Sequence, residues 1–364
     1  MTQPFRPSVL RFLVPLALAA FVSAACGGAS NDVPPSVVQP SISQPATAEP
    51  ETPDTASVSD SDVGSAVAVR PSPLAGASTW LYQLQGRNGQ DLDLAALSAH
   101  GADLLVVDFS RDGSDTGAFT SQELAAARAG GAIVIAYLSI GEAEAYRDYW
   151  REAWVQDGQL AADAPAWLGP FNPDFPDNHK VRYWLPEWQE VILGPSGLLR
   201  RIVGAGFDGV YLDIVDAYEF WEELPAVGPP QQGPQMAEFI RRIAHTARVE
   251  LDRPDFLIVP QNGAGILTTL TDDQQRELLD AVDAIGVEDT FFFGSDDENN
   301  PLDPQHDAIA DIQRFRDAGK PVFAVDYLTT LDLQRDFYDR ARAAGFVPLV
   351  AVRDLDRVIG QPTP

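Results

Sequence analysis

Gly206-Phe207-Asp208-Gly209-Val210-Tyr211-Leu212-Asp213 holds one complete joint of the fold. The leading glycine closes a helical pattern, because a residue without Cβ enters the left-handed conformation without a clash. A short apolar run of strand formers follows and stops on an acid. The same phrase recurs along the chain, with Gly101, Gly130, Gly319 and Gly345 also standing just before short apolar runs. There are eight such runs, over 79–84, 103–109, 133–138, 209–214, 256–260, 284–287, 322–325 and 346–350. They predict eight strands with helices between them.

The intervening segments carry helix-start signals. Thr120-x-x-Glu123 and Thr271-x-x-Gln274 are capping boxes, in which a hydroxyl and a longer polar side chain satisfy each other's backbone N–H groups. The first opens a helix over 124–129, and the second opens one with Leu278 and Leu279 on its apolar side. Eight strand–helix units within roughly 290 residues predict an α/β fold of the (β/α)8 (TIM barrel) type. An open doubly wound sheet is the alternative, but no Gly-rich phosphate loop follows the first strand. The connection 143–206, after the third strand, is much longer than the others. It predicts an inserted loop and an extra helix over the barrel mouth.

In such a barrel the active site lies at the C-terminal ends of the strands. The second run closes on Asp108. The third closes on Tyr137, followed by Ser139-Ile140-Gly141-Glu142. The fourth closes on Asp213, with Asp216 just beyond. The fifth leads into Gln261-Asn262-Gly263, the sixth into Glu288-Asp289 and the seventh into Asp326-Tyr327. Polar residues often simply begin loops, yet six strand ends in register predict a shared polar pocket. The opposite ends begin on Gly, Ala, Pro or Phe, apart from Asp103, Asp208 and Asp283.

Elimination narrows the chemistry of that pocket. The single cysteine, Cys26, lies far from these runs, and no serine sits in a Gly-x-Ser-x-Gly turn. His100, His179, His245 and His306 are scattered, without His-x-His or His-Glu-x-x-His spacing, so no metal or other cofactor is expected. Carboxylates remain, and two of them flanking a glycosidic bond suffice to hydrolyse it. Trp80, Tyr82, Trp150, Trp154, Trp167, Trp184, Trp188, Tyr218 and Trp221 offer flat faces for sugar rings, although at least half are assigned to core packing.

The balance of 25 basic against 53 acidic residues gives a formal charge of −28. Such a surface repels nucleic acid and anionic membranes and suits a neutral or cationic ligand. An acidic surface that only maintains solubility is the plainer reading.

Three segments resemble one known family. Ile135-Ala136-Tyr137-Leu138-Ser139-Ile140-Gly141-Glu142-Ala143-Glu144, with Tyr146-Arg147 and Tyr149-Trp150, is similar to the third-strand signature of the endo-α-1,4-polygalactosaminidase family of glycoside hydrolases (family 114). The stretch from Gly206 to Asp213 resembles its fourth-strand motif, and Gly286-Val287-Glu288-Asp289-Thr290-Phe291-Phe292 its sixth. The resemblance spans about 78–360. It implies a (β/α)8 fold, endo-hydrolysis of α-1,4-linked galactosamine polymers, Asp213 as nucleophile and Glu288 as general acid/base, in a retaining mechanism. The partner it implies is a polysaccharide whose ammonium groups would be drawn to Asp108, Glu142, Asp213, Asp216, Glu288 and Asp326. Tyr137, Asn262, Asp289 and Tyr327 complete the expected binding residues. The acidic loop Asp296-Asp297-Glu298-Asn299-Asn300 lacks calcium-loop spacing and reads as solvated. The rival function is a non-catalytic glycan-binding surface lipoprotein on the same scaffold. A monomer is expected.

The N-terminus reads as an export signal over 1–25. Arg6 and Arg11 precede an apolar run too short to span a bilayer, which ends at Ser23-Ala24-Ala25-Cys26. This resembles a lipoprotein cleavage site, with Ser23 where an aliphatic residue is usual. Cleavage there removes two Arg and no acid, taking the charge from −28 to −30. Residues 26–75, rich in Ser, Pro, Thr and Ala, read as a disordered tether, and 76–364 as the barrel domain. The expected location is outside the cytoplasm, with membrane contact only through lipid on Cys26. Cys26→Ser is expected to release the protein from the membrane fraction or block its processing. A wild-type protein that is wholly soluble, with an N-terminus other than Cys26, contradicts the anchor.

Overall fold

The structure, a computed structural model, describes residues 70–224, 228 and 231–360. Cys26, the signal segment and the tether up to residue 69 lie outside the described residues. The eight predicted strands are all present: β1 Trp80–Tyr82, β2 Leu104–Asp108, β3 Ile133–Ser139, β4 Gly209–Asp213, β5 Leu257–Pro260, β6 Ile285–Glu288, β7 Val322–Tyr327 and β8 Val347–Ala351. β1 to β5 form one parallel ladder, and β6 to β8 another. Between β5 and β6 the ladders are joined by Asp283 N–H to Ile258 O and by Asn262 N–H to Gly286 O, both 2.8 Å. Between β8 and β1 the indole N–H of Trp80 donates to Val347 O at 3.0 Å, and Leu84 N–H to Leu355 O at 2.9 Å. The chain is therefore an α/β barrel of the (β/α)8 kind, with helices such as Ser121–Arg128, Leu198–Ala205 and Leu331–Ala343 outside the strands.

Continuous apolar strands follow from this layering, because each strand is covered by barrel interior on one face and helices on the other. β2 and β4 are buried at every position. Both capping boxes form as predicted. Gly101, Gly206, Gly319 and Gly345 adopt positive φ, but after the helix Ser121–Arg128 it is Gly131 at φ 95° and not Gly130. The barrel interior is packed with rings: Trp80 meets Phe323 edge-on at 5.5 Å, and Tyr82 lies 5.2 Å from Tyr211. Gly286 on β6 leaves room for this layer, since a Cβ there would stand 1.9 Å from the Tyr211 hydroxyl.

The insertion after β3 contains the extra helix, Pro186–Leu193, and also an unpredicted antiparallel sheet. Its strands are Glu142–Glu144, Asn178–Val181 and Leu168–Phe171. Polar Asn178-His179-Lys180 and the Gly-Pro in the third strand hide it from apolar patterning. It is paired instead by a cross-strand ion pair between Glu142 and Lys180. The expected tether boundary at residue 75 also moves. Leu74 is fully buried, and the Arg70 backbone is held by Asp280 and by the Lys320 ammonium.

The three acids at the strand starts share one device. Asp103 accepts from Ser78 and Thr79 N–H, Asp208 from Val134 N–H and Asp283 from Ile258 N–H, each tying its strand to the preceding one. Asp283 is buried and also pairs with Arg70 and Arg248. Removing one partner of a buried ion pair strands the others. Asp283→Ala is therefore expected to destabilise by about 3–5 kcal/mol in urea unfolding, and Asp103→Ala by about 1 kcal/mol. Equal, small losses for both would contradict this account.

Candidate active site

The pocket assembles at the C-terminal ends of β3 to β7. Period-two alternation sends Tyr211 and Asp213 of β4 to the same face of the sheet. Asp213 Oδ2 accepts from the Tyr137 hydroxyl at 2.7 Å and Oδ1 from Ile214 N–H at 2.8 Å. Ile214 holds φ 57°, a costly conformation for a β-branched residue. That turn points its N–H back at the carboxylate. Gly141 lies against it, since a Cβ there would fall 2.1 Å from Ile214 O.

Glu288, closing β6, accepts from the Tyr327 hydroxyl and from Asn262 Nδ2 at 3.3 Å, while its N–H donates to Asn262 Oδ1 at 3.0 Å. Asn262 adopts φ 57°, a conformation Asn tolerates. Tyr82 donates to Gln261 Oε1 at 3.2 Å beside the pair. The hydroxyls of Tyr82, Tyr137, Tyr211 and Tyr327 are pushed well above their usual range, first by burial and then by neighbouring charges that include Asp213 or Glu288. They therefore stay neutral and can donate throughout the physiological range.

Asp213 senses the charge of Glu288. Burial, then the charge of Glu288, lifts Asp213 well above the carboxylate range, against the hydrogen bonds from Tyr137 and Ile214. Glu288 is raised to about 7, first by burial; Asp289 adds to the rise, and Arg353, Tyr327 and Gln261 oppose it. β4 and β6 are separated only by β5, which puts their backbones roughly 10 Å apart, a gap that two inward side chains can narrow around a sugar bond.

Other predicted site residues are committed elsewhere. Asp108 is fully buried, and both its oxygens bind Arg147, at 2.9 and 2.7 Å; Arg147 also binds Glu144. Asp289 is held by Arg353 at 2.9 and 2.8 Å. Asp326 accepts three backbone N–H groups, from Thr290, Phe291 and Phe292. Since Tyr327 reaches Glu288, alternation turns Asp326 to the other face, where it fastens the loop after β6. Glu142 is bound to Lys180 and Asn172. Asp216 remains at the rim, buried and with Oδ1 unmatched. Of the nine aromatic residues picked out above, Trp150, Trp154 and Trp184 are half-buried and the other six buried. In the acidic loop, Asn300 accepts from Asp296 N–H and donates to its carbonyl, and Asn299 accepts from Thr329 and Thr330 N–H. Among the described residues no cluster of three or more His, Cys, Asp or Glu is arranged to hold a metal ion.

Sequence reasoning missed Tyr211, Lys180 and Arg353; it named Tyr82 only as a flat face for sugars, Gln261 only as a strand-end residue and Arg147 only within a motif. The two tyrosines lay within reach, because inward positions alternate along β1 and β4. The cations carried no local signal, since each meets its acid only through the folded chain.

A parallel barrel with carboxylates gathered at the C-terminal ends of its strands is a scaffold suited to glycoside hydrolysis. The chain belongs to glycoside-hydrolase family GH114, whose profile matches residues 60–363. A protein of Deinococcus radiodurans is 36% identical over 289 residues, covering 79% of this chain and 84% of that one. A protein of Thermotoga maritima is 32% identical over 286 residues, covering 76% and 81%. The glycoside hydrolase domain of PelA from Pseudomonas aeruginosa has the same fold, with a TM-score of 0.53 at 18% identity, covering 79% of this chain and 99% of that domain.

The raised Glu288 value makes a stability prediction. Below pH 4.5 the carboxyl is protonated in both folded and unfolded chains. Between 4.5 and about 7 only the unfolded chain gives up its proton, so native stability falls as pH rises through that window. Gln cannot ionise. Glu288→Gln is expected to gain on the order of 2 kcal/mol over wild type at pH 8, and nothing at pH 4, in parallel denaturation curves. A difference that does not vary with pH contradicts the raised value.

Proposed function

We propose that this glycoside hydrolase is an endo-acting, retaining enzyme for α-1,4-linked, galactosamine-containing polysaccharide, working as a monomer outside the cytoplasm on a lipid tether at Cys26. The observation that carries the catalytic reading is the placing of Asp213 and Glu288 at the ends of β4 and β6, each held by a tyrosine hydroxyl. The substrate class is supported by the family and by the acidic balance of the chain.

In the first step an Asp213 oxygen attacks the anomeric carbon as the C1–O bond breaks, while Glu288 passes its proton to the leaving oxygen. Once Glu288 carries the proton, its charge no longer lifts Asp213, and the positive charge developing at C1 favours the Asp213 carboxylate, which Tyr137 and Ile214 N–H keep in one orientation. In the second step Glu288, now ionised, takes a proton from water. The water oxygen bonds to C1, and the Asp213 carboxylate departs. A carboxyl poised near pH 7 suits both halves of this cycle, since the same group must give and then take a proton.

Asp213→Asn and Glu288→Gln are each expected to lower kcat on polygalactosamine by roughly 10²–10⁴-fold, with the fold intact by circular dichroism. Wild-type turnover should fall as pH rises past about 7, where Glu288 loses its proton. The first-formed product should carry the α anomer by proton NMR. Near-normal turnover in either variant, or a β product, overturns the assignment.

A further inference from the structure

Arg353 stands two residues beyond β8, at the same end of the barrel as Asp213 and Glu288. It is only 7% exposed, so its charge is held out of water and must be matched by what surrounds it. Its Nη2 reaches both oxygens of Asp289, at 2.9 and 2.8 Å, and its Nε donates to Asp297 O at 3.2 Å. The guanidinium carbon lies 3.6 Å from the centre of the Tyr327 ring. One side chain thereby fastens the residue after Glu288, the acidic loop beyond β6 and the ring whose hydroxyl holds Glu288. Asn299 N–H ties the same loop to Tyr327 O at 2.9 Å. Nη1 has no acceptor among the described residues, so pairing with Asp289 leaves part of the cation unspent.

The groups that face Glu288 come from several elements. Tyr82 approaches from β1, Tyr211 and Asp213 from β4, Asp216 from the turn after β4 and Tyr327 from β7, while Asp289 is its neighbour in the chain. The phenols are neutral, and the acids resist a further negative charge. Burial lifts Glu288 to about 7; Arg353 works against that rise and Asp289 with it. We propose that Arg353 is the positioning residue of the acid/base: resting on Tyr327 and paired with Asp289, it keeps the Tyr327 hydroxyl on Glu288 and screens Glu288 from the charge of its own neighbour. This rests on the reading of Glu288 given above. The role weighs most in the second step, when Glu288 has given up its proton and must stand as a carboxylate, the form that a fixed donor and a nearby cation favour.

The test follows the side-chain carboxyl carbon of Glu288 by NMR through a pH titration, its signal assigned by its loss in Glu288→Gln. In Arg353→Gln the midpoint should rise by about one pH unit, because a cation is gone and Asp289 is left uncompensated. In Asp289→Asn it should fall, and in Arg353→Lys, which keeps the charge, it should stay near wild type. The double variant Asp289→Asn/Arg353→Gln leaves no member of the pair buried alone and should titrate between the two single variants, so the comparison survives if either single variant fails to fold. On polygalactosamine the pH at which kcat falls should move in the same directions, with KM little changed. Midpoints that agree in wild type and all variants overturn this inference and leave the functional reading standing. Wild type that does not cleave the polymer overturns the functional reading and, with it, the role assigned to Arg353.

Discussion

The constraint on which the C-terminal end of the barrel depends is the placing of two acids in one pocket, Asp213 buried and Glu288 half-buried. A carboxylate taken out of water resists ionisation, and a second one beside it resists further. Asp213 and Glu288 accept this arrangement because each is given fixed donors: Tyr137 and Ile214 N–H for one, Tyr327 and Asn262 for the other. The left-handed turns at Ile214 and Asn262, and the close approach of Gly141, follow from it, since they bring those donors to the oxygens. Local strain is borne where the two carboxyl groups are given their orientation.

The rest of the mouth sorts acids into two kinds. The chain has more than twice as many acidic as basic residues, yet cations are found where buried acids would otherwise be left unpaired. Arg147 neutralises Asp108 and Glu144, Arg353 holds Asp289, and Lys180 holds Glu142. Buried pairs of this kind contribute little net stability but are costly to break, so they define where the loops sit more than how firmly the barrel folds. Neutralising these neighbours leaves Asp213 and Glu288 to be held by neutral donors. At the opposite end Asp103, Asp208 and Asp283 use the same chemistry for a purely architectural end, each stitching one strand start to the one before it.

Much of the architecture is written in local pattern. Eight apolar runs, the capping boxes at Thr120 and Thr271, and glycines such as Gly206 and Gly345 report events within a few residues of themselves, because helix ends and strand burial are short-range constraints. The pairing of Asp213 with Glu288 was likewise foreseeable, since residues that close parallel strands must share one face. The small sheet inside the insertion was not, because its strands are short and polar and are held by contacts between residues nearly 40 positions apart, as between Glu142 and Lys180.

Sequence alone was enough for the barrel and for the end at which its strand-closing acids gather. Which other acids belong to the site was settled only by the folded chain. Asp326 and Tyr327 are neighbours in sequence but project to opposite sides of β7, one fastening a loop and the other holding Glu288. Asp108 and Asp216 look alike as strand-end acids, yet an arginine 39 residues away claims the first, and nothing described claims Oδ1 of the second. A carboxylate's role depends on its partners and on the water it has lost, and both are properties of three-dimensional packing that no local pattern carries.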